Sequence, residues 1–344
     1  MSPLIYPLVL LVAMVVSYAL APVAIRLGER YDLVAVPGGR RKHVGRIPRI
    51  GGLGLFPAFA LATLPTLWVP TGDPLETKRW LGVIAGMGIV WILGLLDDAY
   101  ELPAWAQLVG LSVAALTAIA FDVFIELFNN PLNDAQIKVD WYLMLPITLF
   151  WLVGMSSTMN EVDGLDGLAA GIAAIAAVVL FIHMLRLGQY SVAILPLALL
   201  GCCLGFLPYN FGRARLFLGG GASLLGFAVG ALSIVAGAKV ASALLVVWLP
   251  LVDALWQVYD RWRLGRPIAK GDRGHLHFRL LDMGWPQSRI VLIYYAFTAV
   301  LGAAALLVSS RLLKLVILGG AALIIVLALG VLARRTPQQP TSAE

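Results

Sequence analysis

The residues best suited to chemistry lie in one polar stretch, Asn160–Gly171, between two long apolar runs. It offers carboxylates at Glu161, Asp163 and Asp166 and an amide at Asn160. Charge at a membrane boundary is costly unless it is paired, hydrated or bound to a metal. Oxygen ligands beside glycine suit a hard cation and a phosphate. Spacing alone leaves two local structures open: one helical face that carries both aspartates, or two Asp-Gly turns that cap the next helix.

Further charged groups follow other apolar runs. Asp97 and Asp98 supply hard oxygen ligands, and magnesium typically takes one or two protein carboxylates together with water and phosphate. Cations suited to phosphate oxygens are Arg40, Arg41, Lys42, His43, Arg213, Arg215, Arg273, His275 and His277. An acidic cluster with a basic rim predicts a site for a nucleotide diphosphate and a lipid phosphate. The alternative for the basic loops is that their charge only marks sidedness in the membrane.

The composition sets the class of protein around these residues. Of 344 residues, 60% are hydrophobic and 13% are charged, and the mean hydropathy is +0.88. Such values exclude an ordinary soluble domain, and we expect no nucleic-acid partner. Repeated apolar runs of roughly 20 residues predict a polytopic α-helical membrane protein.

The apolar runs predict an all-α transmembrane bundle of about eleven spans. Residues 1–335 are predicted to form a single integral membrane domain, and residues 336–344 a disordered cytoplasmic tail. The predicted spans are Pro3–Leu27, Gly51–Val69, Trp80–Leu96, Ala104–Phe124, Trp141–Met155, Leu168–Leu185, Tyr190–Tyr209, Ala222–Ala236, Val240–Val258, Ile290–Ser309 and Leu312–Leu332.

Basic residues then predict the orientation. When the loops alternate between sides, 18 of the 25 Lys and Arg residues fall on one side. The positive-inside rule makes that side cytoplasmic, with the N-terminus outside and the C-terminus inside. The polar motifs around Asp97, Asp163, Arg213 and His275 all fall on that same side. The predicted span count therefore places these motifs together in a single cytoplasmic site.

The order and spacing of the motifs resemble the polyprenyl-phosphate N-acetylhexosamine-1-phosphate transferases. That family includes the initiators of O-antigen and wall teichoic acid synthesis and is related to the phospho-N-acetylmuramoyl-pentapeptide translocase. The resemblance covers nearly the whole chain. It rests on Val36–His43 with Pro48–Gly52, Gly94–Asp98 with Leu102–Pro103, Asn160–Ala169, Asn210–Gly219, Pro250–Asp253, and Gly265–Pro267 with Asp272–His277.

The resemblance implies transfer of a sugar 1-phosphate from a UDP-sugar to undecaprenyl phosphate, with release of UMP. It implies Mg²⁺, with Mn²⁺ as a substitute, and a location in the plasma membrane with the site facing the cytoplasm. A homodimer stays open as an alternative to a monomer. The implied catalytic residues are Asp97, Asp98, Asp166, His275 and His277; the substrate-binding residues are Arg40, Arg41, Lys42, His43, Asn210, Arg213 and Arg273; the metal ligands are Asn160 and Asp163.

The chain also departs from the family pattern. Gly220 stands where the family has a metal-binding aspartate, and Gln107 stands where it has a lysine; Ser157 and Phe278 are lesser departures. We expect Glu161 to donate a compensating oxygen, and we expect the turn at Gly220 to accept aspartate. Two alternatives follow: a weak or inactive relative that binds UDP-sugar or polyprenyl phosphate, and a transporter on a similar scaffold.

Overall fold

The structure is a computed structural model that describes residues 4–35, 45–68, 73–129, 136–237, 240–265 and 274–335. The predicted substrate-binding residues Arg40, Arg41, Lys42, His43 and Arg273 lie outside the described residues. The predicted tail, 336–344, lies outside them as well.

Helices make up most of the described chain, which confirms the all-α class. Two helices, α9 and α11, are only seven residues long, and a short 3-10 helix, Leu64–Trp68, follows α2. The helices are α1 Ile5–Arg30, α2 Gly52–Thr63, α3 Glu76–Tyr100, α4 Ala104–Ala120, α5 Trp141–Val162, α6 Leu168–Arg186, α7 Ile194–Asn210, α8 Gly221–Val235, α9 Val240–Val246, α10 Trp248–Arg263, α11 Leu276–Asp282, α12 Gln287–Leu307 and α13 Arg311–Arg335.

The hydropathy of these helices is that of a multi-pass membrane protein. Six of them, α1, α3, α5, α6, α12 and α13, are long and apolar enough to cross a bilayer. Four shorter apolar helices accompany them: α2, α4, α7 and α8. The number of spans and their orientation remain predictions.

Three predicted bounds are wrong in ways that matter for the site. The predicted span Val240–Val258 is two helices, because the helical conformation is interrupted at Val247, between α9 and α10. Helix α3 continues through Asp97 and Asp98 to Tyr100, and α5 continues past Met155 to Val162. The two polar motifs therefore begin on helices and do not follow them.

Helix α8 lies at the centre of the bundle and packs against α3, α5 and α6. All of its residues except Ser223 are buried. Its glycines and alanines permit this, because small side chains let neighbouring helices approach on every side. Helices α1 and α13 instead expose large aliphatic side chains, as expected of helices that face lipid.

Two short hairpins, which the sequence did not predict, lie in the loops. Strands β1 (Val34–Ala35) and β2 (Ile47–Pro48) pair antiparallel, as do β3 (Leu127–Asn129) and β4 (Gln136–Lys138). Strand β2 is bonded to the segment before α8: the Phe217 amide donates to the Pro48 carbonyl at 2.8 Å. This pairing fixes the entry into α8 against the entry into α2.

Candidate active site

The loop between α5 and α6 carries the two aspartates of the polar stretch. Helix α5 ends at Val162, Asp163 leaves helical geometry with ψ +52°, and Gly167 has a left-handed φ of +84°. The helical alternative for Asp163 and Asp166 is therefore wrong, and the turn alternative describes the loop. The turn places Asp163 directly after the end of α5, where it is partly buried.

Hydrogen bonds between side chains and backbone tie this loop to the end of α7 and to the segment between α7 and α8. The Asn210 side-chain oxygen accepts a bond from the Gly167 amide at 2.8 Å, and its Nδ2 donates to the Leu216 carbonyl at 3.0 Å. Asp166 Oδ2 accepts a bond from the Ala214 amide at 3.1 Å. Asn210 is buried, so its amide holds two loops together. The predicted roles of Asn210 in substrate binding and Asp166 in catalysis stay predictions.

His275 lies between two carboxylates from distant parts of the chain. Its Nδ1 is 3.0 Å from Asp253 Oδ2 on α10, and its Nε2 is 2.9 Å from Glu161 Oε2 on α5. Burial disfavours the charged ring, but the hydrogen bonds and charges of Asp253 and Glu161 outweigh it and raise the pKa of His275 to about 9. At neutral pH both ring nitrogens therefore donate, one to each carboxylate.

His277 is fully buried beside His275, and the two rings stack with centroids 5.5 Å apart. Its Nδ1 is 4.0 Å from Asp253 Oδ2. A Cβ atom at Gly164 would overlap His277 Nε2, so the backbone of the Asp163 loop rests directly on this ring. Only glycine permits that approach. The structure thus brings the aspartate loop and the histidine motif together.

Buried polar groups of α10 and α11 hold the histidine segment in place. Gln257 Nε2 and Arg279 Nε both donate to the Gly274 carbonyl, at 2.5 Å and 2.6 Å. Asp253 Oδ1 accepts the Leu276 amide at 3.0 Å, which caps the start of α11. The backbone before His275 is therefore fixed from two helices.

The carboxylates of Asp97 and Asp98 accept hydrogen bonds from neutral donors. Asp97 Oδ1 accepts bonds from the Leu102 amide and from Gln107 Nε2, both at 2.9 Å. Asp98 is buried, and both of its oxygens lie 3.1 Å from the amide of Gly220 at the start of α8. A carboxylate at a helix N-terminus is stabilised by the unpaired amides there.

Close backbone contact explains the glycine at 220. A Cβ atom at Gly220 would overlap the backbone of Gly94 on α3, and Gly220 itself has an ordinary helical φ of −56°. The expectation that this turn accepts aspartate is therefore wrong: the obstacle is steric contact with α3 and not backbone conformation. A side chain at 220 requires α3 and α8 to separate.

The remaining predicted residues are more open. Asn160 and Arg213 are exposed, consistent with residues that a ligand can reach.

Arg49, which was not predicted as a site residue, donates from Nε to the Asp98 carbonyl at 3.1 Å and pairs with Glu101 at 2.9 Å. Tyr295 on α12 donates to the Gly167 carbonyl at 2.5 Å. No sequence signal marks Tyr295, because it lies inside an apolar run.

Comparison with known proteins identifies the family. A model described as glycosyl transferase family 4 matches residues 80–237. The chain is 33% identical to the decaprenyl-phosphate N-acetylglucosaminephosphotransferase of Mycolicibacterium smegmatis, over 87% of this chain and 80% of that protein. The chain belongs to glycosyl transferase family 4. The resemblance drawn from the motifs is confirmed, and the chain is an enzyme of the sugar-phosphate transferase kind.

Other relatives in glycosyl transferase family 4 match over similar lengths. The chain is 27% identical to a probable undecaprenyl-phosphate N-acetylglucosaminyl 1-phosphate transferase of Bacillus subtilis, over 92% of this chain and 88% of that protein. It is 33% identical to the phospho-N-acetylmuramoyl-pentapeptide-transferase of Moorella thermoacetica, over 78% of this chain and 86% of that protein. Both branches of the family that the motifs resemble are therefore represented.

The family's metal can be tested against the donors that the structure describes. Among the described residues, no group of three or more His, Cys, Asp or Glu side chains is arranged so that it could hold a metal ion. Burial and the neighbouring Asp166 raise the pKa of Asp163 to about 7, and no described group donates a hydrogen bond to it. A desolvated carboxylate without donors, three residues after the exposed Asn160, fits a magnesium ion that takes few protein ligands. Glu161 contacts His275 at 2.9 Å, and its compensating role stays a prediction.

Proposed function

We propose that the protein transfers a sugar 1-phosphate from a UDP-sugar to a polyprenyl phosphate such as undecaprenyl phosphate, releasing UMP. An oxygen of the lipid phosphate attacks the β-phosphorus of the UDP-sugar. The bond from that phosphorus to the oxygen bridging the α-phosphate breaks, and UMP leaves with that oxygen. The product is a polyprenyl diphosphate sugar, and the donor sugar is proposed to be an N-acetylhexosamine.

One observation carries the proposal: the Asp163 loop and the His275 segment form a single charged surface. The two residues are far apart in sequence, yet Glu161 contacts His275 at 2.9 Å and Gly164 rests on His277. The surface offers an imidazolium to a phosphate and a desolvated carboxylate to a cation. Phosphoryl transfer can use two such groups side by side, since its catalysis is mostly positioning and charge stabilisation.

The chemistry assigns roles that need no strong base. A phosphate monoester loses its second proton near pH 6, so the lipid phosphate is largely dianionic at neutral pH. Asn160 and Asp163 would hold Mg²⁺, which when bound neutralises charge on the diphosphate. His275 donates to a phosphate oxygen, and the exposed Arg213 attracts the anionic substrates. Asp98 joins the end of α3 to the start of α8 through the Gly220 amide, and the catalytic role of Asp97 and Asp98 stays a prediction.

The experiment is UMP release by the purified protein in detergent. It is supplied with Mg²⁺, undecaprenyl phosphate and, in separate reactions, UDP-N-acetylglucosamine, UDP-N-acetylgalactosamine and UDP-glucose. We expect UMP release with an N-acetylhexosamine donor and none when the lipid is omitted. If none of the three donors gives UMP release, the proposal is contradicted.

Gly220 favours a second candidate, an inactive relative that binds the same substrates. Position 220 carries no side chain, and the Asp98 carboxylate beside it accepts a hydrogen bond from the Gly220 amide. Under this candidate, UDP-sugar binds by calorimetry while no UMP appears over hours. Saturable UMP release at Mg²⁺ concentrations in the millimolar range would exclude it.

The orientation is also a proposal, supported by the distribution of basic residues. The bonds that join the Asp163, Asn210, Asp98 and His275 segments are compatible only with loops on one side of the membrane. A reporter fused after Arg335 should be cytoplasmic, and one inserted within Ile125–Asp140 should be external. Both reporters on the same side would contradict the orientation.

A further inference from the structure

Glu161 is placed unfavourably unless something compensates for it. It lies in the last turn of α5, where the unpaired carbonyls of the helix end disfavour a carboxylate. Asp163 and Asp166 add negative charge within five residues. One compensating group is His275, whose Nε2 is 2.9 Å from Glu161 Oε2.

The two carboxylates on His275 differ in how firmly they are held. Asp253 is 2% exposed, and it also accepts the Leu276 amide, so it is a fixed part of the buried structure. The Glu161 side chain is 41% exposed, whereas His275 is 4% exposed. The contact from Glu161 therefore covers the open side of a buried imidazolium, and rotation of one solvated side chain removes it.

A phosphate oxygen is chemically equivalent to the Glu161 oxygen at this position. Both are anionic acceptors, and a charge-assisted bond to His275 Nε2 suits either. A phosphate that replaces Glu161 leaves Nε2 bonded and returns the glutamate to water. The site thus exchanges one anion for another, without exposing an unpaired charge.

We propose that Glu161 is an internal anionic ligand of His275 that a substrate phosphate displaces, so that it sets the affinity of the site for phosphate. The inference rests on the proposed function and deepens it. The displacing phosphate comes either from the UDP-sugar or from the polyprenyl phosphate. Glu161 acts through His275 and is a positioning residue, not a catalytic one.

Kinetics of Glu161→Gln test the inference, because glutamine keeps the shape and removes the charge. We expect KM for one of the two substrates to fall about tenfold, while kcat stays within twofold of wild type. The substrate whose KM falls is the one that meets His275. Glu29→Gln is the matched control: Glu29 is an exposed glutamate in the last turn of α1, on the same predicted side. Its KM values should be unchanged.

Two further measurements keep the test decisive. Glu161→Asp, one methylene shorter, should lower the same KM by a smaller factor. Inorganic pyrophosphate, measured by calorimetry without lipid, should bind Glu161→Gln about tenfold more tightly than wild type. A lower kcat with unchanged KM, or unchanged KM and unchanged pyrophosphate affinity, would overturn the inference. Tighter pyrophosphate binding without any UMP release from wild type would instead overturn the proposed function and leave the inference standing.

Discussion

The candidate site has a histidine half around His275 and an aspartate-pair half around Asp97 and Asp98. The carboxylates of the two halves accept hydrogen bonds from different kinds of donor. In the histidine half, Asp253 and Glu161 share the imidazolium of His275. In the aspartate-pair half, Asp97 and Asp98 accept bonds from a side-chain amide and from backbone amides. An imidazole gains or loses charge with pH and exchanges its anions, whereas amide donors are fixed. The histidine half should therefore change its stability and affinity with ligands and pH. The aspartate-pair half should instead be sensitive to steric change.

The largest effect should come from forcing a side chain between α3 and α8. Gly220→Asp places a Cβ against the Gly94 backbone and a second carboxylate beside Asp98. Overpacking and an unpaired buried charge together should cost about 3 kcal/mol or more. SDS titration in mixed micelles measures this loss as a decrease in the free energy of unfolding. Gly154→Ala is the control, since a Cβ at Gly154 meets nothing within 4 Å. Equal stability of both variants and wild type would contradict the close contact.

A pH-dependent effect should mark the histidine half. The pKa of His275 is raised from 6.5 to about 9 in the folded protein, so the protonated ring stabilises the fold. That contribution is complete below about pH 6.5 and is lost as the pH rises through 9. The stability difference between wild type and His275→Gln should thus shrink by about 3 kcal/mol between pH 6 and pH 10. A difference that is constant over this range would contradict the ion-pair arrangement.

A smaller effect should separate the metal ligands from other carboxylates. If Asn160 and Asp163 hold the divalent ion, Asp163→Asn should weaken Mn²⁺ binding about tenfold, or about 1.4 kcal/mol. Electron paramagnetic resonance of free Mn²⁺ measures this directly. Asp140→Asn, at the opposite end of α5, should leave the affinity unchanged. Equal weakening by both substitutions would rule out a specific role for Asp163.

The smallest effect should follow from restoring the lysine of the family pattern. Gln107 donates to Asp97 from a half-exposed position. Gln107→Lys replaces an amide donor by an ammonium donor, and partly exposed ion pairs contribute little, about 0.5 kcal/mol or less. Stability by the same SDS titration should stay within that range. A large gain would show that the aspartate-pair half carries uncompensated charge, contrary to the comparison.

The sequence predicts much of this fold because lipid imposes long apolar runs. All the apolar runs appear as helices in the described chain, apart from the break at Val247. That break is invisible to hydropathy, since both sides of it are apolar. The predicted ends of α3 and α5 come too early for a different reason: Asp98 and Asn160 are polar but still helical.

Local pattern could not reveal the contacts that give the site its character. The sequence predicts a role for Glu161, but its partner His275 lies on a segment more than a hundred residues away. Gly220 was recognised as a departure, but only the position of Gly94 on α3 explains it. Both depend on how helices pack, which a sequence motif does not specify.

The central claim is that Asp163 and His275 act together in one active site, and a double-mutant comparison tests it most directly. Initial rates of UMP release are measured for wild type, Asp163→Asn, His275→Gln and the double variant. Residues that act as a unit are strongly non-additive. We predict that each single substitution lowers kcat at least a hundredfold, on the order of 2.7 kcal/mol, and that the double variant is within threefold of the slower single one. Losses that multiply in the double variant would show that the two residues act independently, and would contradict the account.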